Sequence, residues 1–414
     1  MTKFKLNLVY THLTKPYTID WPNGVKLGDE EGFSVLWQKR LKPGTKLNML
    51  NCFYEGEKTG TVQIYSANEL PDERYVFPIE VIDDLRYWKH YLNKELDIPQ
   101  QVEQDVINNK AKLLFFCPFE GHRLDAYDRI EFLQKQKERY KNILYADCNL
   151  YVEEGLKKEG IKGIYHNAFV NTNFNNTEIL KYIDALRSNI LNKTIRPNKF
   201  VCFNRVPKDY RGYMVNRFLE EGMVKDNIVT FQIENFAMSP EQLWKHFEKT
   251  YKPFELLKRN VPLVYDYQNV FSVNPTDIHI DAHLNSYFNI VNETQFYNIP
   301  NQLFFSEKIF KPMLCMQPFV VAGVTGSLKK LRELGFKTFG EYIDESYDSI
   351  VDDKERLEQV VQIVKGINNK THQELSEMMY SMYNILEHNY NHHMCLAQQE
   401  FGAKNLAYRI LNEW

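Results

Sequence analysis

From Lys112 onward, short apolar runs alternate with amphipathic helical segments, and this alternation constrains the fold more than any other feature. The runs LLFFCPF, KNILYAD and GIYHNAF are typical of buried strands, and AYDRIEFLQKQKERY and YVEEGLKKEG between them have a helical pattern. Strands that are apolar on both faces belong to parallel sheets covered by crossover helices. The sequence therefore predicts an α/β fold.

A second series of the same kind follows a connector that contains a proline, Leu191 to Asn198. Its strand-like runs include KFVCFNR, NIVTFQI, SYFNIVNET and PFVVAG. Two such series predict two Rossmann-like domains that face each other across a cleft, with ligands bound beyond the carboxyl ends of the strands. We predict an N-terminal, acceptor-side domain over 1–195 with a β-rich start over 1–80, a C-terminal domain over 196–375, and helices over 376–414 that pack back toward the N-terminal domain.

Composition excludes several classes of protein. Of the 414 residues, 43% are hydrophobic and 14% aromatic, which excludes a disordered chain, and the net charge of −3 excludes a generally basic nucleic-acid coat. The six cysteines are scattered without a CxxC pair, which argues against a zinc ribbon or a disulfide framework. No apolar run approaches the roughly 18 residues of a membrane span, and the N-terminus has no signal-peptide pattern. We expect a cytoplasmic protein without a membrane span.

The segment FFSEKIFKPMLCM predicts an amphipathic helix with an unusual start. Ser306 is the expected N-cap, and Glu307, Lys308 and Lys311 follow within about the first turn and a half. Lysines near the positive end of a helix dipole are unfavourable unless an anion binds there. A solvated Lys/Glu face is the structural alternative.

A glycine-containing turn follows, in PFVVAGVTGS. Gly323 and Gly326 let the backbone approach a ligand closely, and a helix that begins near Ser327 offers free N–H groups. The spacing is not that of a Walker A loop, and many α/β folds use such a turn for packing alone. Together with the lysines upstream, the turn favours a ligand that carries phosphate.

Two further strand ends carry polar groups. The run KFVCFNRVPKDYR places Asn204 and Arg205 after a buried strand and Lys208 and Arg211 in the following loop, where arginine can clamp a pyrophosphate. An exposed basic loop is the alternative. In SYFNIVNET, Glu293 lies at a strand end and can accept hydrogen bonds from ribose or sugar hydroxyls.

These segments together resemble the C-terminal half of a glycosyltransferase family common in tailed phages and large viruses. Its donor site is related to that of the α1,3-fucosyltransferases and exostosin-like enzymes, whose signature is (T/S)-E-K-x-(W/F). The resemblance extends from Lys199 to about Asp348 and implies a GT-B fold with a nucleotide diphosphate sugar bound mainly by the C-terminal domain. It also implies that Glu307 contacts the ribose and that Lys308 and Arg205 neutralise the diphosphate. Ser306 stands where the family more often has threonine.

Fixed cations at the leaving diphosphate stabilise the transition state, and they can take the place of a metal ion. The resemblance implies an inverting transfer that requires neither a metal nor a cofactor beyond the donor. Such a transfer needs a general base on the acceptor side. Glu120, directly after the run LLFFCPF, is the first candidate, and Gly121 beside it would leave room for an acceptor. His122 and Asp147 are the other candidates.

Two histidine-containing segments are rival metal sites. In DIHIDAH, alternate side chains would share one face of a strand, although an exposed edge strand is the commoner explanation. His388 and His392 are four residues apart with His393 beside them, but no HExxH pattern is present, so we expect a solvated helix face or a lid. The strand candidates are Asp277, His279, Asp281 and His283.

The sequence leaves the chemical class of the acceptor open. Hydroxylated bases of viral DNA would need a basic groove, which KQKERYK and KKEGIKG could provide, although solvated helix surface is the commoner explanation. Viral origin would place the protein in the host cytoplasm. A glycan, a lipid-linked acceptor or a small molecule are alternatives, and a noncatalytic nucleotide-sugar-binding scaffold is the alternative that is not an enzyme.

Overall fold

The structure is a computed structural model, and two parallel sheets with helices dominate it. It describes residues 6–10, 19–20, 26–27, 62–66, 70–80, 98–117, 121, 124, 129–167, 169–170, 177–233, 238–265, 278–399 and 403–413. Glu120, His122 and Asp277 lie outside these residues. No helix among the described residues is long and apolar enough to cross a membrane.

The first sheet contains six parallel strands in the order β4-β1-β5-β6-β7-β8. These are β1 Leu6–Tyr10, β4 Val62–Ser66, β5 Tyr75–Glu80, β6 Ala111–Cys117, β7 Ile143–Asp147 and β8 Lys162–Tyr165, and β2 Ile19–Asp20 pairs with β3 Lys26–Leu27 separately. Its helices are α1 Gln100–Ile107, α2 Arg129–Arg139 and α3 Val152–Lys158. The strands β1, β4 and β5 thus belong to the same sheet as the later strands.

The second sheet has four parallel strands in the order β10-β9-β11-β12. These are β9 Asn198–Cys202, β10 Ile228–Val229, β11 Ser286–Asn292 and β12 Phe319–Ala322. The helices up to β12 are α4 Thr177–Leu191, α5 Asp209–Glu220, α6 Pro240–Phe247, α7 Glu255–Asn260, α8 Ile280–Leu284 and α9 Glu307–Leu314. After β12 come α10 Ser327–Glu333, α11 Asp353–Asn368, α12 His372–Ser381, α13 Tyr383–Gln399 and α14 Ala403–Leu411.

Buried strands explain why the alternation was so clear. Every residue of β6, β7, β11 and β12 is buried, because helices cover both faces of each sheet. The predicted α/β class with two parallel sheets is confirmed. The helix α4 packs its apolar side into the core of the second sheet, and its Arg187 pairs with Glu387 of α13 at 2.7 Å.

The two sheets meet at their carboxyl ends. Beyond β7, the Leu150 amide donates to the Leu303 carbonyl at 2.9 Å, and beyond β6 the Gly121 carbonyl accepts from Gln302 Nε2 at 3.1 Å. The helix α14 returns to the first sheet, where Arg409 Nη1 donates to the Tyr165 carbonyl at 2.7 Å. This is the face-to-face arrangement expected of a GT-B fold. The predicted domain boundaries stay predictions.

Candidate functional site

The site begins where β9 and β11 end side by side. Asn292 Nδ2 donates to Asn204 Oδ1 at 2.6 Å, and both residues are almost fully buried. Asn204 also donates to Cys202 Sγ at 3.3 Å. The side chain of Asn204 therefore joins two strand ends, whereas the sequence predicted that it would contact the donor.

Glu293, the residue after β11, connects this edge to the start of α9. Its Oε2 accepts from Ser306 Oγ at 2.6 Å and from the Thr294 amide at 3.1 Å. Burial raises the pKa of the Glu293 carboxyl, while Lys308 and the Ser306 hydroxyl oppose that rise. The carboxyl thus fixes Ser306, whose side chain caps α9 by accepting from the Lys308 amide, as the sequence predicted.

Two lysines that are a hundred positions apart in the chain, Lys208 and Lys308, converge on Thr294. Lys208 Nζ donates to the Thr294 carbonyl at 2.5 Å, and Lys308 Nζ donates to Thr294 Oγ1 at 3.2 Å. Lys308 Nζ also lies 2.8 Å from Glu307 Oε1. Burial opposes ionisation of Glu307, but Lys308 and Lys311 hold the pKa of its carboxyl below the ordinary value. The structure thus brings together five of the predicted donor residues, with Lys311 beside them.

Buried oxygens without a partner surround this cluster. Asn292 Oδ1, Glu293 Oε1 and Gln295 Oε1 have no hydrogen-bond partner among the described residues. Buried acceptors are normally satisfied, so such oxygens call for a donor from outside the described residues. Hydroxyl groups of a ligand are suitable donors. Sequence reasoning missed Gln295, because nothing in its local pattern separates it from a loop residue.

The loop after β9 divides its basic residues between surface and interior. Arg205 is exposed, but Arg211 is buried, and its Nη2 donates to the carbonyls of Asn292 and Glu293 at 3.1 and 3.0 Å. Arg211 Nη1 donates to the Val206 carbonyl at 3.1 Å. The prediction that Arg211 binds phosphate is therefore corrected: its guanidinium holds the loop against the end of β11.

Backbone amides after the glycine-containing turn already have a partner within the protein, the carboxylate of Asp348. Asp348 Oδ1 accepts from the Leu328 amide at 2.8 Å and Asp348 Oδ2 from the Lys329 amide at 2.9 Å. The predicted free N–H groups at the helix that begins at Ser327 are therefore not free. Gly323 is needed for packing, because a Cβ there would lie 2.9 Å from Ser327 Oγ. Gly326 has φ +80°, which favours glycine.

Of the three general-base candidates, Asp147 is described, and it is enclosed. Its Oδ2 lies 3.3 Å from Arg129 Nη1 and accepts from Tyr145 OH at 2.6 Å, and its Oδ1 accepts from the Asn149 amide at 2.6 Å. Burial raises the pKa of Asp147 to about 6, although Arg129 opposes the rise. Asp147 is 0% exposed and both of its oxygens have partners within the protein, which argues against the predicted role as a base.

Asp147→Asn is expected to lower the free energy of unfolding by about 3–5 kcal/mol, because it removes the carboxylate that pairs with the buried Arg129 charge. Urea denaturation measures the change. The double variant Arg129→Met/Asp147→Asn, which removes both charges, should be less destabilised than the single one. Unchanged stability together with loss of transfer activity would restore Asp147 as a base.

Gly121, which follows Glu120 in the sequence, contacts residues of the second half of the chain. Its carbonyl accepts from Gln295 Nε2 at 2.6 Å. A Cβ at this position would lie 2.6 Å from the Phe304 Cβ and 2.8 Å from the Asn149 Cα. Glycine is therefore required for close contact between the two sheets, and the prediction that it leaves room for an acceptor is wrong.

The two histidine-containing segments differ from the strand face and the solvated helix face that the sequence favoured. DIHIDAH is helical from Ile280, so its alternate side chains do not share a strand face, and burial lowers the pKa of His283 to about 4. His388 Nε2 and His392 Nε2 lie 2.9 and 2.6 Å from the carbonyls of Gly335 and Leu334, beyond the end of α10. No group of three or more histidine, cysteine, aspartate or glutamate side chains in the described part of the chain could hold a metal ion.

The two basic segments proposed for DNA are engaged with their neighbours. Lys135 pairs with Glu131 at 2.9 Å, and Arg139 pairs with Glu103 at 2.7 Å. Lys137 Nζ donates to the Gly160 carbonyl at 2.7 Å. These contacts are typical of a solvated helix surface.

A cavity of about 350 Å³ opens beside the lysine pair. Lys208, Thr294 and Gln302 line it, and Gln302 also contacts Gly121. Its volume falls in the range of roughly 300–1,000 Å³ that is usual for small-molecule sites. The remaining walls are largely apolar and aromatic: Pro207, Tyr210, Met238, Leu243, Phe247, Phe296, Tyr297 and Ile299.

Comparison with known proteins gives distant similarity only. No protein-family model and no curated protein matches the chain, so the phage and large-virus family stays a prediction. The chain is similar to the N-terminal domain of Candida albicans trehalose-6-phosphate phosphatase (9% identity, TM-score 0.44, covering 100% of this chain and 97% of that chain). It is also similar to an α1,3-fucosyltransferase with GDP-fucose (9%, 0.34, 100% and 90%) and to S. aureus MnaA with UDP (12%, 0.38, 99% and 95%). These values are too low to carry an argument on function.

Proposed function

We propose that the chain is a GT-B glycosyltransferase that moves a sugar from a nucleotide diphosphate sugar to a hydroxyl acceptor. The observation that carries this proposal is the cluster at Thr294, where Lys208 and Lys308 meet beside buried acceptor oxygens that have no partner in the described part of the chain. Cations suit a diphosphate, and unpartnered acceptors suit hydroxyl groups. A nucleotide diphosphate sugar offers both.

The charge of the cluster fits the leaving group of such a reaction. As the bond between the anomeric carbon and the phosphate oxygen breaks, negative charge develops on the diphosphate. Lys308 and Lys208 supply positive charge beyond the end of β11, where a divalent ion would otherwise be required, and we propose Arg205, which follows β9, as a third cation. The transfer we propose is therefore independent of metal.

The reacting hydroxyl would come from the side of the first sheet. In an inverting transfer, the acceptor oxygen bonds to the anomeric carbon, the diphosphate leaves with the electron pair, and the acceptor proton goes to a general base. We propose Glu120 for that role, since its neighbour Gly121 contacts Gln295 and Gln302, and both glutamines line the cavity. The cavity would hold part of the donor.

Binding of nucleotides in excess EDTA tests the donor and the metal independence together. One of UDP, GDP, CDP or dTDP at about 100 times its Kd is expected to stabilise the fold by about 2.7 kcal/mol, measured as a rise in Tm. Adenosine, which lacks the diphosphate, is the control.

The other outcomes separate the elements of the proposal. Absence of any shift, with and without Mn²⁺ or Mg²⁺, would contradict the proposed function. A shift that requires Mn²⁺ or Mg²⁺ would contradict metal independence alone. Binding without consumption of any nucleotide sugar would favour the noncatalytic scaffold.

A further inference from the structure

Lys308 of the proposed donor site comes shortly after a chain segment that is hydrogen-bonded to residues beyond the strands of the first sheet. Residues 301–305, which we term the bridging segment, cross the carboxyl ends of β7 and β8 and lead into Ser306, the N-cap of α9. The Leu303 carbonyl accepts from the Leu150 amide at 2.9 Å. The position of the lysine-bearing helix is thus coupled to the opposite sheet.

Asn149 makes the first side-chain contact to the bridging segment. Its Nδ2 donates to the Asn301 carbonyl at 2.9 Å, and its Oδ1 accepts from the Leu303 amide at 3.4 Å. The same oxygen accepts from the Tyr151 amide at 3.1 Å, within its own loop. The side chain is 0% exposed, so water cannot replace these bonds.

Asn167 makes the second side-chain contact to the bridging segment, at Phe305, which is the residue before the N-cap. Its Nδ2 donates to the Phe305 carbonyl at 2.9 Å, and its Oδ1 accepts from the Phe169 amide at 3.0 Å. It is also 0% exposed. Each of the two carboxamides therefore accepts from its own loop and donates to the opposite domain.

We infer that Asn149 and Asn167 are positioning residues for the proposed donor site. They act through the bridging segment on Ser306, whose Oγ donates to Glu293 Oε2 at 2.6 Å and lies 3.3 Å from Lys308 Nζ. A shift of the bridging segment moves Ser306 and with it the contact between Lys308 and Thr294. The acceptor-side sheet thereby sets the geometry of the donor-side cations, an inference that rests on the proposed function for its link to the donor.

Asn149→Asp and Asn167→Asp test this coupling, because aspartate keeps the shape and the accepting oxygen but cannot donate to the bridging segment. Asn389→Asp is the matched control. Asn389 is 1% exposed, accepts from the Lys337 amide and donates to the Lys337 carbonyl, both at 2.8 Å, within the second domain. All three variants should have a similarly lowered free energy of unfolding. Only Asn149→Asp and Asn167→Asp should alter the bridging segment.

Hydrogen–deuterium exchange of the amides at 303–308 gives a readout that does not depend on any ligand. Exchange should rise in Asn149→Asp and Asn167→Asp and stay at the wild-type level in Asn389→Asp. Calorimetry with GDP and UDP should then show about tenfold weaker binding of whichever nucleotide binds the wild type, in the first two variants only.

Exchange at 303–308 that is unchanged, or that rises equally in Asn389→Asp, would overturn the positioning role. Raised exchange with unchanged nucleotide affinity would overturn the link to the cations. If the wild type binds neither GDP nor UDP, nor any other nucleotide diphosphate, while exchange responds as expected, the proposed function fails and the positioning of the segment stands. The alanine variants at the three positions give the same comparison if an aspartate variant does not fold.

Discussion

Glu120→Gln is expected to lower kcat about 10²–10⁴-fold and to leave donor affinity nearly unchanged. Glutamine keeps the shape of the side chain and removes its basicity, so the acceptor proton has no recipient. Glu120 lies outside the described residues, and the expectation rests on the contact of Gly121 with Gln295 and Gln302 at the cavity. Steady-state kinetics with varied acceptor and donor measures the effect.

A matched change at another carboxylate controls for the loss of charge. Glu131→Gln alters an exposed residue of α2, whose carboxylate pairs with Lys135 at 2.9 Å. Glu131 does not line the described cavity. The kcat of this variant should stay within about twofold of the wild type. A loss of donor affinity in Glu120→Gln would make Glu120 a binding residue. Undiminished turnover would transfer the role to His122 or to another residue of the N-terminal domain.

Lys308→Ala is expected to weaken donor binding and to reduce kcat/KM at least tenfold. The change removes a charge-assisted contact worth about 1.5–3 kcal/mol, and about 1.4 kcal/mol already corresponds to a factor of ten. Because positive charge at the diphosphate matters more in the transition state than in the ground state, kcat should fall as well. Calorimetry and kinetics at subsaturating donor measure the two effects.

Lys258→Ala is the control for this variant. Lys258 also pairs with a glutamate in the same domain, Glu248, and its side chain is 33% exposed against 27% for Lys308. Its removal should leave donor affinity and turnover at wild-type levels. Kinetics of Lys308→Ala that match the wild type would show that the diphosphate binds elsewhere.

The local pattern of the sequence was sufficient for the architecture and for the capped start of α9. Buried strands alternating with amphipathic helices predicted two parallel sheets, because strands covered on both faces must be apolar throughout. The start of α9 was predictable too, since Ser306 is a strong N-cap residue and lysines so early in a helix are unusual. The strand interpretation of DIHIDAH was wrong. The segment is helical from Ile280, so a period of two over seven residues did not decide its secondary structure.

The sequence by itself determined the two α/β units and the capped start of α9 at Ser306, because these follow from short-range periodicity and from capping. Only the tertiary structure decided which polar groups satisfy one another. Asp348 occupies the amides at the start of α10, Arg211 binds carbonyls in the interior, and Asn149 joins the opposite domain. Each of these bonds links residues distant in sequence, and a buried polar group takes whichever partner the packed fold places within reach, which no local pattern records.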